Sequence, residues 1–284
     1  MHPVLLTAIA MAAFAANSLL CRMALGSGSI DPASFTLIRL FSGALVLALL
    51  LRPHWRELGL TLLWPISWPS TLSLFTYMVC FSFAYLSLET GTGALLLFGA
   101  VQLTMFAVAL QGGERFNRWA SLGLAMAAGG LVYLVAPGVT APEPQGAILM
   151  ALAGVAWGVY SLLGRGAKDP LVATGASFIT ALPFAALVSV AFLADQNISY
   201  SGFGLAVASG AVASALGYVV WYAALRHLTA ARAATVQLSV PALAALGGVV
   251  LLSEPLSLRL VLASTLTLGG VALVLYQRSQ RAAP

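Results

Sequence analysis

Charged side chains are scarce in this sequence: Asp, Glu, Lys and Arg make up 7% of its 284 residues, while 61% are hydrophobic. Soluble domains carry roughly 25% charge. So few ionic groups cannot cover a water-soluble surface, which leaves lipid as the solvent for most of the chain. The net charge is +5, but the 13 basic residues stand at the ends of apolar segments rather than in a block, which argues against nucleic acid as a partner. Cysteine is nearly absent too. Cys21 and Cys80 lie inside apolar runs, lack the spacing of metal ligands or of a disulfide framework, and read as small packing residues. His2, His54 and His227 have no carboxylate or metal-ligand pattern around them. A glycine-rich phosphate loop, a nucleophile elbow and metal motifs are all missing. These gaps speak against an enzyme, and neither a metal nor any other cofactor is expected.

What is abundant is apolar sequence in pieces of membrane-spanning length. A helix crossing about 30 Å of hydrocarbon needs roughly 20 apolar residues. Breaking the chain at charges, prolines and polar turns gives ten such runs, at 3–25, 32–51, 63–86, 91–111, 118–136, 145–165, 170–193, 202–225, 230–252 and 257–277. The first run lacks a basic lead-in, and comparable segments follow it, so it reads as a membrane helix rather than a cleaved leader. The stretch 136–145 (APGVTAPEPQ) holds three prolines and divides the chain. The domains expected are therefore 1–136, a linker at 137–144, and 145–284.

The second half repeats the first. Leu110 through Arg115 (LQGGER) returns as Val250 through Pro255 (VLLSEP), and Gly129-Gly130 as Gly269-Gly270, both 140 residues later. Phe14 through Arg22 (FAANSLLCR) matches Trp157 through Arg165 (WGVYSLLGR). Positive charge tests the helix count. With ten helices one face holds both termini and Arg52, Arg56, Arg115, Arg118, Arg165, Lys168, Arg226, Arg232, Arg278 and Arg281. The other face holds Arg22 and Arg259, and Arg39 stays inside a span. That bias predicts cytoplasmic termini in a multi-pass membrane protein. Five helices per half is an odd number, so the halves must be inverted relative to each other. The fold class expected is thus an all-α integral membrane protein of ten transmembrane helices, built as two inverted five-helix repeats.

These residues resemble the drug/metabolite transporter superfamily, specifically its ten-helix EamA-type exporters. The likeness rests on Trp157-Gly158 running to Arg165, on Pro32 running to Arg39 at the start of the second helix, on the small-residue run Ala233–Pro241, and on Gly113-Glu114. It covers nearly the whole chain, and among members the bacterial aromatic amino-acid exporters are most similar. The first half departs from the pattern with Phe14-Ala15 in place of Trp157-Gly158 and Val101 in place of Pro241, while Arg39 has Ser177 as its counterpart. The resemblance implies a central cavity among helices 1, 3, 4, 6, 8 and 9, with helices 5 and 10 outside it. Small residues suit close packing of those two: Gly123, Ala127 and Gly130 on one, Ala263, Thr267 and Gly270 on the other.

The candidate substrate-binding residues are mid-span polar and aromatic groups. Asn17, with Tyr160 at its repeat position, Gln102 and Gln237 need hydrogen-bond partners inside hydrocarbon, from a wet cavity or from neighbouring helices. Tyr77, Phe81 and Tyr85 recur every fourth residue and share a helix face, and Tyr218, Trp221 and Tyr222 cluster on helix 8. Such stripes serve packing, the interfacial belt or a site; Tyr85, Trp64 and Trp68 read as belt residues. Convergence of Tyr77, Phe81, Trp157 and Trp221 with Gln102 would give an apolar pocket with a few directional groups. Arg39 is the one charge well inside a span, where it costs about 2.5–3.5 kcal/mol on insertion scales. It reads either as an anchor for a substrate carboxylate or as a side chain that pairs structurally or snorkels outward.

The mismatched repeat positions Phe14/Trp157, Asn17/Tyr160 and Arg39/Ser177 are where a substrate is expected to be read. No Asp or Glu lies deep in a helix, which favours facilitated diffusion or exchange over coupling through a buried carboxylate. The function expected is a monomeric secondary transporter exporting amino acids or related metabolites by alternating access. Its partners would be a small-molecule substrate and the lipid bilayer. An intramembrane enzyme acting on lipid-linked substrates and a structural membrane subunit are the rival classes.

Overall fold

The computed structural model describes residues 2–52, 67–165, 167–228 and 230–281. Among them the chain is helical, and the one β pairing is an isolated bridge between Ile30 and Ile198. Ten long helices follow in order. They are α1 (Pro3–Gly26), α2 (Pro32–Leu50), α3 (Trp68–Ala84), α4 (Thr90–Gln111) and α5 (Arg118–Val135), then α6 (Pro144–Gly164), α7 (Pro170–Ala191), α8 (Tyr200–Leu225), α9 (Arg232–Leu252) and α10 (Leu258–Arg281). Nine of these helices are long and apolar enough to cross a membrane, and α3 is shorter at 17 residues. The expected beginning of its span, with Trp64, lies outside the described residues, as do His54 and Arg56.

Local chemistry sets the helix starts. In α2 and α7 a proline occupies the first helical position, where its missing N–H costs nothing, and the aspartate before it caps the turn. Asp31 accepts from the Ser34 amide at 2.8 Å, and Asp169 accepts from the Leu171 and Val172 amides at 2.9 and 3.1 Å. The shared Asp-Pro of the two halves is therefore a shared helix start. Glu143 does the same for α6, accepting from Gln145 and Gly146, and these backbone N–H groups hold its carboxyl below the usual carboxylate range.

Packing partners recur across the halves. Helix α6 packs on α3 and α4, and its counterpart α1 packs on α8 and α9; α2 faces α7, and α5 faces α10. The α5–α10 pair is the tightest, and glycine makes it possible. A Cβ at Gly123 would lie 2.6 Å from the Gly270 carbonyl oxygen, and one at Gly130 would lie 2.8 Å from the Thr267 amide. These small residues are a packing seam, as their spacing predicts.

Two helices depart from regularity, one at a proline visible in the sequence and one without such a signal. Helix α9 breaks at Leu238, between Ala230–Gln237 and Ser239–Leu252. The cause is Pro241, which has no N–H to offer the Gln237 carbonyl and whose ring crowds that oxygen. Helix α8 carries a π-helical stretch, Ala208–Leu216. There Gly210 lies directly against the Arg39 carbonyl and the Ser42 hydroxyl of α2, with no room for a side chain. The wider turn brings the backbone onto α2, and such bulges concentrate at functional sites.

Candidate functional site

Where α1, α3, α4, α6 and α8 meet, aromatic rings surround a small cavity. Phe14, Tyr77, Phe81, Phe98, Trp157 and Tyr218 line it, with Asn17, Ser18 and Ser214 as its polar side chains. The rings interlock: Tyr77 stacks on Trp157 at 5.7 Å between centroids, while Phe14 and Phe98 meet Trp157 edge-on at 6.0 and 5.2 Å. Each such pair contributes about 0.5–1.5 kcal/mol beyond area burial. The cavity holds about 20 Å³, space for about one water and far too little for an organic solute. Any solute that enters must move helices apart.

Behind Tyr77 lies Arg39. Its side chain is 0% exposed, which rules out outward snorkelling. Its guanidinium carbon sits 4.8 Å from the Phe81 ring centroid and 5.5 Å from that of Tyr77, a cation–π arrangement that offsets part of the desolvation. Nη2 donates to the Tyr77 phenol oxygen at 3.0 Å, while Nε and Nη1 have no partner among the described residues. The network continues beyond the phenol. Asn17 Nδ2 donates to Tyr77 Oη at 3.4 Å, and Ser209 Oγ, from the π-helical stretch, donates to Asn17 Oδ1 at 2.6 Å. One polar chain thus joins α2, α3, α1 and α8 inside the helix bundle.

Of the nine candidate residues, Asn17, Tyr77, Phe81 and Trp157 line the cavity, and Arg39 is tied to it through Tyr77. The other four lie outside its lining. Trp221 packs edge-on against Phe14 at 5.9 Å. Tyr160 donates to Thr174 at 3.3 Å, whose hydroxyl is 2.7 Å from that of Tyr222. Gln102 is 2% exposed with its amide nitrogen unpartnered, and Gln237 is half-buried where α9 breaks. The nine omit the cavity rings Phe14 and Tyr218, noted only as a repeat mismatch and as part of the helix 8 cluster, and they omit Ser18, Phe98, Ser209 and Ser214. Phe98 lies four residues before Gln102 on α4 and one turn is enough to bring it in, whereas the serines carry no signal in an apolar helix.

One expectation is overturned. Tyr85 is no belt residue: it is 0% exposed, its hydroxyl donates to the Thr90 carbonyl at 3.4 Å, and its ring fills the space over Gly93. The chain turns back at once into α4, so this end of α3 is covered by protein rather than by headgroups. Trp68 is exposed, as a belt residue would be.

Tyr85 belongs to a seal at that end of the bundle. Arg22, near the end of α1, forms an ion pair with Glu254 at 3.1 Å and donates to the Tyr85 and Leu86 carbonyls at 3.1 and 3.2 Å. The second oxygen of Glu254 accepts from the Thr90 amide at 2.8 Å, placing an anion at the positive N-terminus of α4. Nearby Glu89 has its carboxyl pushed up, first by burial and then by Glu254, with Arg22 opposing. The α1–α2 and α7–α8 loops are stitched together at the same end. The Asp31 amide donates to the Asn197 carbonyl at 2.9 Å, and the Asn197 side chain donates to the Gly28 carbonyl at 2.8 Å.

The opposite end is held differently. Arg165, the repeat counterpart of Arg22, is exposed and among the described residues reaches the Met105 sulfur, at 3.8 Å. Glu114, the counterpart of Glu254, pairs instead with Arg278 of α10 at 2.7 Å. Both glutamates follow a left-handed residue, Gly113 at φ 88° and Ser253 at φ 55°, so the two turns share a backbone form and differ in what they grip.

Known proteins place this architecture. Residues 144–276 match the EamA-like transporter family. An uncharacterized Pseudomonas aeruginosa protein, PA1977, is 53% identical over 98% of this chain and 96% of its own length. An uncharacterized transporter of Archaeoglobus fulgidus is 29% identical over 58% of this chain and 60% of its own. A crystal structure with 22% identity superimposes at a TM-score of 0.63, covering 98% of this chain and 99% of its own, and so shares the fold. This chain is thus a multi-pass membrane protein whose second half is similar to the EamA-like transporter family.

Proposed function

We propose that the chain is a secondary transporter that exports amino acids with aromatic or apolar side chains, or closely related metabolites, across a bacterial inner membrane by alternating access. The observation that carries this reading is the aromatic cavity on the bundle axis, closed at one end by a charged ligature that its repeat counterpart does not form. Two inverted halves, 1–136 and 145–284 about the linker 137–144, would place both termini in the cytoplasm. The Arg22–Glu254–Thr90 seal then closes the outer end. In the alternate state the same ligature would form at the cytoplasmic end, with Arg165 leaving Met105 for Glu114. Helices α3, α4, α8 and α9 would rock against the rest. The rings of Phe14, Phe98, Trp157 and Tyr218 offer an apolar surface with π faces, which would suit the side chain and ammonium group of an aromatic amino acid. The monomer contains the whole cavity.

The test is counterflow of labelled phenylalanine, tryptophan and leucine in proteoliposomes, with and without a pH gradient. Saturable exchange of at least one amino acid is expected, insensitive to the gradient if transport is facilitative. Absence of saturable exchange across these and a broad metabolite panel would overturn the transporter assignment.

A further inference from the structure

We infer that the cavity reads its solute by a carboxylate, received by the Tyr77 hydroxyl with the Arg39 charge behind it, and that it does not read the amine. This rests on the transporter assignment and narrows its substrate class to apolar-bodied carboxylic acids, with or without an α-amino group.

The argument starts from donor and acceptor arithmetic. A guanidinium has only donors, so at 3.0 Å from Arg39 Nη2 the Tyr77 oxygen is the acceptor. The same oxygen also takes the Asn17 amide. Its lone pairs are thus used on the helix side, and its own proton has no acceptor among the described residues. Tyr77 lines the cavity, so that proton is the donor the cavity offers. Donation from a cation to a phenol oxygen polarises the O–H and strengthens what it donates in a low-dielectric site. The Ser214 hydroxyl, also on the cavity wall, is buried and without a partner, and supplies a second open group.

Charge points the same way. Arg39 forms no ion pair among the described residues, and two of its nitrogens are unbonded. A buried cation with open donors is stabilised by an anion brought close to it. For an ammonium the cavity offers no countercharge. No Asp or Glu lines the cavity, and the acceptors that remain, the Asn17 carbonyl oxygen beside Ser209 and the Ser18 and Ser214 hydroxyls, are neutral. Aromatic faces remain, and they serve a hydrocarbon ring as well as an ammonium.

The experiment is isothermal titration of the purified full-length protein with phenylalanine, 3-phenylpropionate and 3-phenylpropionamide. The two acids should bind within about threefold of each other and about tenfold or more tighter than the amide, the gap expected of a charge-assisted hydrogen bond. Tyr77→Phe, which removes only the hydroxyl, and Arg39→Gln should each cut the preference for acid over amide to under about threefold, with acid binding losing more than amide binding. If Arg39→Gln fails to fold, Tyr77→Phe alone decides. Equal binding of acid and amide, a preference that survives Tyr77→Phe, or binding of none of the three overturns the carboxylate subsite. The two readings fail separately. Amino-acid exchange with no acid preference overturns the subsite and leaves the transporter standing, whereas acid-selective binding without exchange does the reverse.

Discussion

Helices α4 and α9 are counterparts 140 residues apart, yet they are buried in opposite ways. Every residue of α4 from Thr90 to Gln102 is buried. Over the matching start of α9, Arg232 to Pro241, only Ala233, Val240 and Pro241 are buried. Helix α4 also packs on α1, while α9 has no comparable packing on α6 among the described residues. Two segments of one ancestral pattern, at opposite ends of the bundle, therefore occupy a closed and an open setting. Composition does not explain it. The Arg22–Glu254–Thr90 ligature does, because it ties α1 to the start of α4 at one end only.

The sharpest way to break this comparison is to ask water. In a Cys21→Ala/Cys80→Ala background, Leu95→Cys on α4 and Thr235→Cys on α9 occupy matched positions, the first fully buried and the second exposed. A membrane-impermeant thiol reagent should label Thr235→Cys more than about tenfold faster, since reactivity follows access. Equal rates would mean that the exposed start of α9 faces lipid and that the two ends do not differ in openness.

A smaller effect tests the cause. Glu254→Gln removes the anion that holds both Arg22 and the Thr90 amide, groups with side-chain exposures of 22% for Arg22 and 11% for Glu254. Hydrogen bonds to charged groups contribute about 1.5–3 kcal/mol each, and partial exposure puts the loss of stability near the lower figure. Labelling of Leu95→Cys should rise toward that of Thr235→Cys. At the other end Glu114→Gln removes a pair that is 35–36% exposed, worth under about 1 kcal/mol, and labelling should stay as it was. Matching effects of the two substitutions, read by thermal unfolding and labelling rate, would show that the seal is not the source of the asymmetry.

Much of the fold was legible because lipid forces it to be. Apolar runs of fixed length leave helix as the one solution for a chain without closed strands, and the Asp-Pro starts gave the same boundaries the structure has. The aromatic stripe on α3 was legible by spacing, and Tyr77, Phe81 and Trp157 do converge. The rest depended on information the pattern does not hold. Tyr85 looked interfacial because burial by a following turn is a tertiary fact. Arg39 was readable as costly but not as bound to Tyr77, since a contact between helices 38 residues apart has no periodic signature. The π-helical stretch in α8 turns on Gly210 meeting the α2 backbone, one glycine among 27.

The smallest predicted effect tests whether the two turns that carry the glutamates are equivalent. Both are left-handed at the residue before Glu, but one uses glycine and the other serine. A Cβ at Gly113 would meet nothing within 4 Å, so replacing it has no steric cost, only the backbone cost of a left-handed L-residue, about 1 kcal/mol. Part of that is returned because glycine loses more entropy on folding. Gly113→Ser should therefore destabilise by about 0.5 kcal/mol, and Ser253→Gly should stabilise by a similar amount, both measured by urea or thermal unfolding in detergent. If Ser253→Gly destabilises instead, Ser253 makes a contact that Gly113 lacks. The outer turn would then hold Glu254 in place by more than its backbone form, and the seal would include the serine.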